Sequence, residues 1–136
     1  MDILVVEDET LVAFALEWAL RIAGHQVLGP VDSVGDAIDL CRERRPDFAL
    51  IDLNLRDGGD GVEVACYLNQ HYQTPCLFLS AQVAHARANC RFALGLVRKP
   101  YDSARIIEII DFITGTAHRR TSGQVPASLE IFRQPH

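Results

Sequence analysis

Phe48-Ala49-Leu50-Ile51-Asp52-Leu53 is a short apolar run with a single carboxylate near its end. Its hydrophobicity is continuous rather than alternating. That is the pattern of a strand covered on both faces, as in a parallel sheet. Runs of the same kind recur on both sides of it. Ile3–Glu7 and Gln26–Pro30 precede it, and Cys76–Ser80 and Leu94–Arg98 follow. Between them lie amphipathic stretches with helical spacing: Leu11–Ala23, Val34–Arg44, Val62–Tyr72, a short one near Val83–Arg91, and Ser103–Thr114. Gly24, Pro46, Pro75 and Gly95 punctuate the boundaries.

Five strand–helix repeats predict an α/β fold, a doubly wound (βα)5 domain with a five-stranded parallel sheet. Right-handed crossovers leave few topologies, of which the flavodoxin-like order 2-1-3-4-5 is the most familiar. Residues 1–114 are expected to form this domain. Residues 115–136 are expected to be a flexible C-terminal tail, whose only apolar patch is Leu129, Ile131 and Phe132.

Composition narrows the function. The 136-residue chain is 49% hydrophobic and carries a formal charge of −5, so a broad nucleic-acid-binding face is not expected. Its adjacent basic pairs, Arg44-Arg45, Arg98-Lys99 and Arg119-Arg120, are scattered. Glu17 and Arg21 interrupt the most apolar stretch, Leu11–Ile22, so no membrane segment is expected. The start of the chain lacks the pattern of a signal peptide. Cys41, Cys66, Cys76 and Cys90 form no Cys-x-x-Cys pair and read as reduced thiols of a cytoplasmic protein. The five histidines share no metal-ligand spacing.

In doubly wound sheets, ligands bind beyond the carboxyl ends of the strands, where strand order reverses. Strand 1 ends in Glu7-Asp8-Glu9 and strand 3 in Asp52, so carboxylates should converge at that point. Clustered carboxylates repel unless a cation neutralises them, and oxygen ligands with room for water suit Mg²⁺. Strand 4 delivers Ser80 and strand 5 delivers Lys99 to the same edge. A hydroxyl and an ammonium there could hold the oxygens of a phosphoryl group on Asp52.

Val5-Val6-Glu7-Asp8-Glu9, Leu50-Ile51-Asp52-Leu53-Asn54-Leu55, Phe78-Leu79-Ser80-Ala81 and Arg98-Lys99-Pro100-Tyr101 together resemble the four signatures of response-regulator receivers of two-component systems. The likeness covers about residues 1–114 and suggests a CheY-like, stand-alone receiver. It implies Asp52 as phospho-acceptor and Asp8 as direct Mg²⁺ ligand, with Glu7 holding the metal through water. The Asn54 backbone carbonyl would complete the protein ligands. Ser80 would be the switch hydroxyl and Lys99 the phosphate-binding lysine, with a cis peptide before Pro100. Asn54 and Gln82 would tune hydrolysis. The implied partners are a histidine kinase or histidine phosphotransfer protein and an output protein, with a phosphorylation-dependent homodimer as a further option. A haloacid-dehalogenase-like phosphatase would also use a strand-end aspartate. Its chemistry needs a second aspartate where Asn54 stands.

Four features depart from the family pattern. Glu7 stands where aspartate is common. Arg56 stands where proline is frequent, in a loop about one residue longer than usual. Leu96 occupies the position of the family's switch aromatic. The stretch between Ser80 and Lys99 is short, so the fourth helix should be abbreviated or irregular. On the first helix, Leu11, Val12, Ala15, Leu16, Ala19, Ile22 and Ala23 form a broad stripe expected to face the core. Phe14 and Trp18 fall outside its centre and are expected to be a docking surface for the phosphodonor.

Overall fold

The computed structural model describes residues 1–115, 126 and 128–132. Five apolar runs form parallel strands: β1 (Asp2–Val6), β2 (Gln26–Val31), β3 (Phe48–Asp52), β4 (Cys76–Ser80) and β5 (Gly95–Arg98). The connecting helices are α1 (Thr10–Ile22), α2 (Val34–Glu43), α3 (Gly61–Tyr72), α4 (Val83–Ala88) and α5 (Ser103–Thr114). Side-chain oxygens start three of them. Ser33, Asp60 and Asp102 accept the Asp36, Val62 and Ala104 backbone N–H groups at 2.9–3.1 Å. As expected, α4 is abbreviated, giving way to a 3₁₀ turn at Cys90–Phe92.

The five strands take the order 2-1-3-4-5, with β1 between β2 and β3. Successive side chains of each strand point to opposite faces. Ile3, Val5, Leu50, Leu77 and Leu79 meet α1 and α5 through Leu16, Leu20, Ile106, Ile109 and Ile110. Leu4, Val6, Ile51 and Phe78 meet α2 and α3 through Ala37, Cys41, Val64, Ala65 and Leu68. Both faces are covered, which is why the strand sequences do not alternate. Cys41 and Cys76 are buried thiols, and burial pushes their pKa values up to about 11 and about 12.

Two expectations need correction. The sheet has six strands, because Leu129–Ile131 forms β6, antiparallel to β5 at the sheet edge. Taken alone this patch is too short to read as a strand. It acquires its partners from an edge that the chain cannot specify locally. The other expected tail residues, 116–125, 127 and 133–136, lie outside the described residues, and with them His118, His136 and Arg119-Arg120.

The second correction concerns α1. Its buried line is Ala13, Leu16 and Leu20, whereas Leu11 is 84% and Ile22 71% exposed. Apolar residues surround most of this helix, so the sequence leaves its rotation open. Packing against α5 and the sheet selects a narrower stripe. Phe14 and Trp18 are exposed as expected. No described helix is long and apolar enough to cross a membrane.

Candidate functional site

Strand ends build the site. β1 and β3 are adjacent, with Val6 paired to Ile51, so Glu7 and Asp52 leave their strands side by side. Glu7 is 2% and Asp52 3% exposed, an unusual burial for carboxylates. Lys99, directly after β5, reaches across with Nζ 2.8 Å from Asp52 Oδ2 and 2.8 Å from Glu7 Oε1. It also lies 3.4 Å from Glu9. The peptide before Pro100 is cis, as expected, and so is Gly29–Pro30.

The loop after β3 is shaped to return to the aspartate. The Asn54 N–H donates to Asp52 Oδ1 at 3.1 Å, and Asn54 bridges back to Asp60. Gly61 opens α3 against the Asp52 carbonyl. A Cβ there would stand 2.1 Å from that oxygen, so only glycine lets α3 start so close to Asp52.

Opposing forces act on the ionisable groups. Burial and the hydrogen bond with Asp52 raise Glu7 to about 8. Burial would raise Asp52 too. Its hydrogen bonds with Glu7, Lys99 and the Asn54 N–H outweigh that and hold it below the usual carboxylate range. Burial works against the Lys99 ammonium, but its two carboxylate partners raise its pKa overall. Asp8 is also raised, by burial and then by the Asp52 charge. One ionised aspartate therefore sits under a firmly protonated lysine.

The remaining expected residues gather around this pair. Asp8, Glu9, Asp52, Asn54, Ser80, Gln82 and Lys99 line a cleft of about 250 Å³. Ser80 is buried, and its Oγ accepts the Gln82 N–H at 2.8 Å. The donor set also fits a small hard cation. Oxygens of Glu7, Asp8 and Asp52 lie within 4.8 Å of one another, and Glu7 Oε1 receives no aligned hydrogen bond despite its burial.

Phe14 and Trp18 stand apart from this cluster, on α1. Phe14 borders a second cleft, of about 380 Å³, with Asp8, Glu17, Asp32 and Arg56. Leu96 is fully buried. Arg56, marked in the sequence only as a departure, donates to the Asp8 carbonyl at 3.0 Å and pairs with Asp32 at 3.4 Å. The His85–Asp60 contact between α4 and the start of α3, at 2.5 Å, had no signal in the sequence.

Residues 3–111 match the model of the response regulator receiver domain. The chain belongs to this family. The receiver is 30% identical over 130 residues to the phyllosphere-induced regulator PhyR of Methylorubrum extorquens. That match covers 88% of the chain and 46% of the relative, so the chain spans less than half of this curated protein's length. Among solved structures, it is similar to the receiver domain of a modulated diguanylate cyclase from Desulfovibrio desulfuricans. There the identity is 31% and the TM-score 0.74, covering 85% of this chain and 94% of the other. The Erythrobacter litoralis PhyR receiver domain, 24% identical with a TM-score of 0.76, covers 89% and 95% and shares the fold. Receivers of two-component systems are signalling switches, and magnesium and phosphorylation are general to the family.

Proposed function

We propose that Asp52 accepts a phosphoryl group from a histidine kinase or histidine phosphotransfer protein, and that the receiver uses it to switch protein contacts. The observation that carries this reading is Asp52 itself. It is a buried, ionised carboxylate at a strand end, open to the cleft and clasped by Lys99.

Asp52 Oδ attacks the phosphorus in line, and the bond to the donor nitrogen breaks as the acyl phosphate forms. Lys99 Nζ neutralises charge on the phosphoryl oxygens, so positioning and electrostatics supply most of the catalysis. Mg²⁺ held by Asp8, Asp52, the Asn54 carbonyl and, through water, Glu7 would add charge neutralisation at the same oxygens. The Ser80 hydroxyl then turns from Gln82 toward the phosphoryl group. The exposed amides of Asn54 and Gln82, both lining the cleft, orient the water that later hydrolyses it.

Phe14 and Trp18, 65% and 60% exposed beside the 380 Å³ cleft, are the proposed phosphodonor contact in the cytoplasm. Incubation with acetyl phosphate or a phosphorylated kinase should label the wild type stoichiometrically and only with Mg²⁺. Asp52→Asn should take no label. Undiminished labelling of that variant would sink the assignment.

A further inference from the structure

β6 does more than lengthen the sheet. Leu129, 8% exposed, enters the core beside Ile106, Ile109 and Ile110. On the other face, Phe132 packs against the cluster that holds Ala86 and Leu96, its ring 6.3 Å from that of Phe78. The strand is hydrogen-bonded along β5, and the Phe132 N–H continues to the Leu94 carbonyl at 2.9 Å. β5 is shaped to receive it. A Cβ on Gly95 would stand 2.5 Å from the Glu130 carbonyl oxygen.

The strand is also fastened to α4. Arg87 donates to both Glu130 oxygens, at 2.8 and 2.7 Å, with Arg98 3.7 Å from the same carboxylate. α4 itself is six residues long, and no side chain caps its start. Besides the buried Ala86, three polar ties among the described residues hold it: Gln82 N–H to Ser80 Oγ at its beginning, His85 to Asp60 in the middle, and Arg87 to Glu130 near its end. A line of contacts therefore runs from the acceptor loop and Ser80, through α4, to β6.

We propose that the β5 edge is a strand-docking groove whose ligand is the chain's own Leu129–Phe132, with α4 as the latch that releases it on phosphorylation. The trigger rests on Asp52 being the acceptor. When Ser80 Oγ moves toward a phosphoryl group, it either draws the Gln82 N–H along or gives it up. Both displace the first turn of α4. A bidentate arginine–carboxylate pair holds two bonds in one plane and tolerates little displacement. Beyond it, among the described residues, β6 keeps a three-residue ladder, the Phe132 N–H bond to Leu94, the longer Arg98–Glu130 pair and two apolar side chains. A strand so lightly held is reversible by the one charge-assisted bond that Ser80 gains, a bias of about tenfold or more.

Amide hydrogen exchange on the full chain tests this, with Asp52 labelling by acetyl phosphate assayed in parallel. Beryllofluoride with Mg²⁺ should lower protection of Leu129–Phe132 about tenfold, and of its partners Gly95–Val97 with it. Arg87→Glu should release β6 without beryllofluoride, and Arg87→Glu with Glu130→Arg should restore it. Unchanged or increased β6 protection in a protein that labels on Asp52 would overturn the proposal. Failure to label would sink the acceptor reading, and the trigger with it. In that case full protection of β6 in Arg87→Glu would overturn the latch as well.

Discussion

Both ends of the sheet carry carboxylates, and their environments are opposite. At the amino ends, the Asp2 N–H donates to the Asp47 carboxylate, the Asp47 N–H donates to the Asp2 backbone carbonyl, and Arg44 pairs with the Asp2 carboxylate at 3.0 Å. The Arg44–Asp2 pair reaches solvent, with side chains 53% and 25% exposed. At the carboxyl ends, Glu7 and Asp52 are buried and lean on one lysine. The first arrangement ties strand ends together in water and contributes little. The second holds charge out of water, which costs stability unless partners compensate. A buried, perturbed carboxylate cluster of this kind is a candidate functional site, whereas the exposed pair at the amino ends fits a structural clasp.

That contrast predicts unequal consequences. Lys99→Ala should cut Asp52 labelling by about a hundredfold, the scale of removing one preorganised electrostatic group. Initial-rate labelling with acetyl phosphate measures it, and wild-type rates would erase the distinction between the ends. Asn54→Ala or Gln82→Ala should change the lifetime of the acyl phosphate several-fold while leaving labelling intact. Decay at the wild-type rate in both would remove these side chains from the attacking water.

At the amino end, Arg44→Ala should lower stability by less than about 1 kcal/mol, as exposed pairs do, and leave labelling unchanged. Chemical denaturation reads the first quantity. A loss of several kcal/mol would mean that this end is no mere surface clasp. The smallest effect belongs to His25. Burial, then the N-terminal ammonium 3.2 Å away, lowers its pKa from 6.5. The unfolded chain therefore takes up this proton first. His25 contributes stability that is present above about pH 6.5 and lost as pH falls through the lower, folded value. Thermal unfolding at pH 7.5 and pH 5 should show a slightly smaller acid loss in His25→Gln than in the wild type.

The strands were legible almost to the residue, because burial on both faces leaves a continuous apolar run that little else in a soluble domain produces. The gathering of Glu7, Asp8, Asp52, Ser80 and Lys99 was legible for a related reason. Once strand order is known, strand ends are neighbours, and in such sheets ligands bind beyond the carboxyl ends of the strands. α1 was misread because its apolar residues outnumber the positions its neighbours cover. Leu11 and Ile22 are as apolar as Leu16 and Leu20, and no local rule separates them. Arg56 could not be placed from sequence, since a long side chain on a loop finds partners only after the loop has a shape.

The features legible in the chain alone are those that repeat along it or end an element: the five strand–helix units and the residue types at their ends. Periodicity and turn chemistry are local, so a single chain records them. Only the tertiary structure decided which face of α1 is buried, that Lys99 clasps Glu7 and Asp52 together, and that Leu129–Ile131 completes the sheet beside β5. Each of those depends on surfaces brought together from distant parts of the chain, and burial and hydrogen bonding act on neighbours in space whatever their separation in sequence.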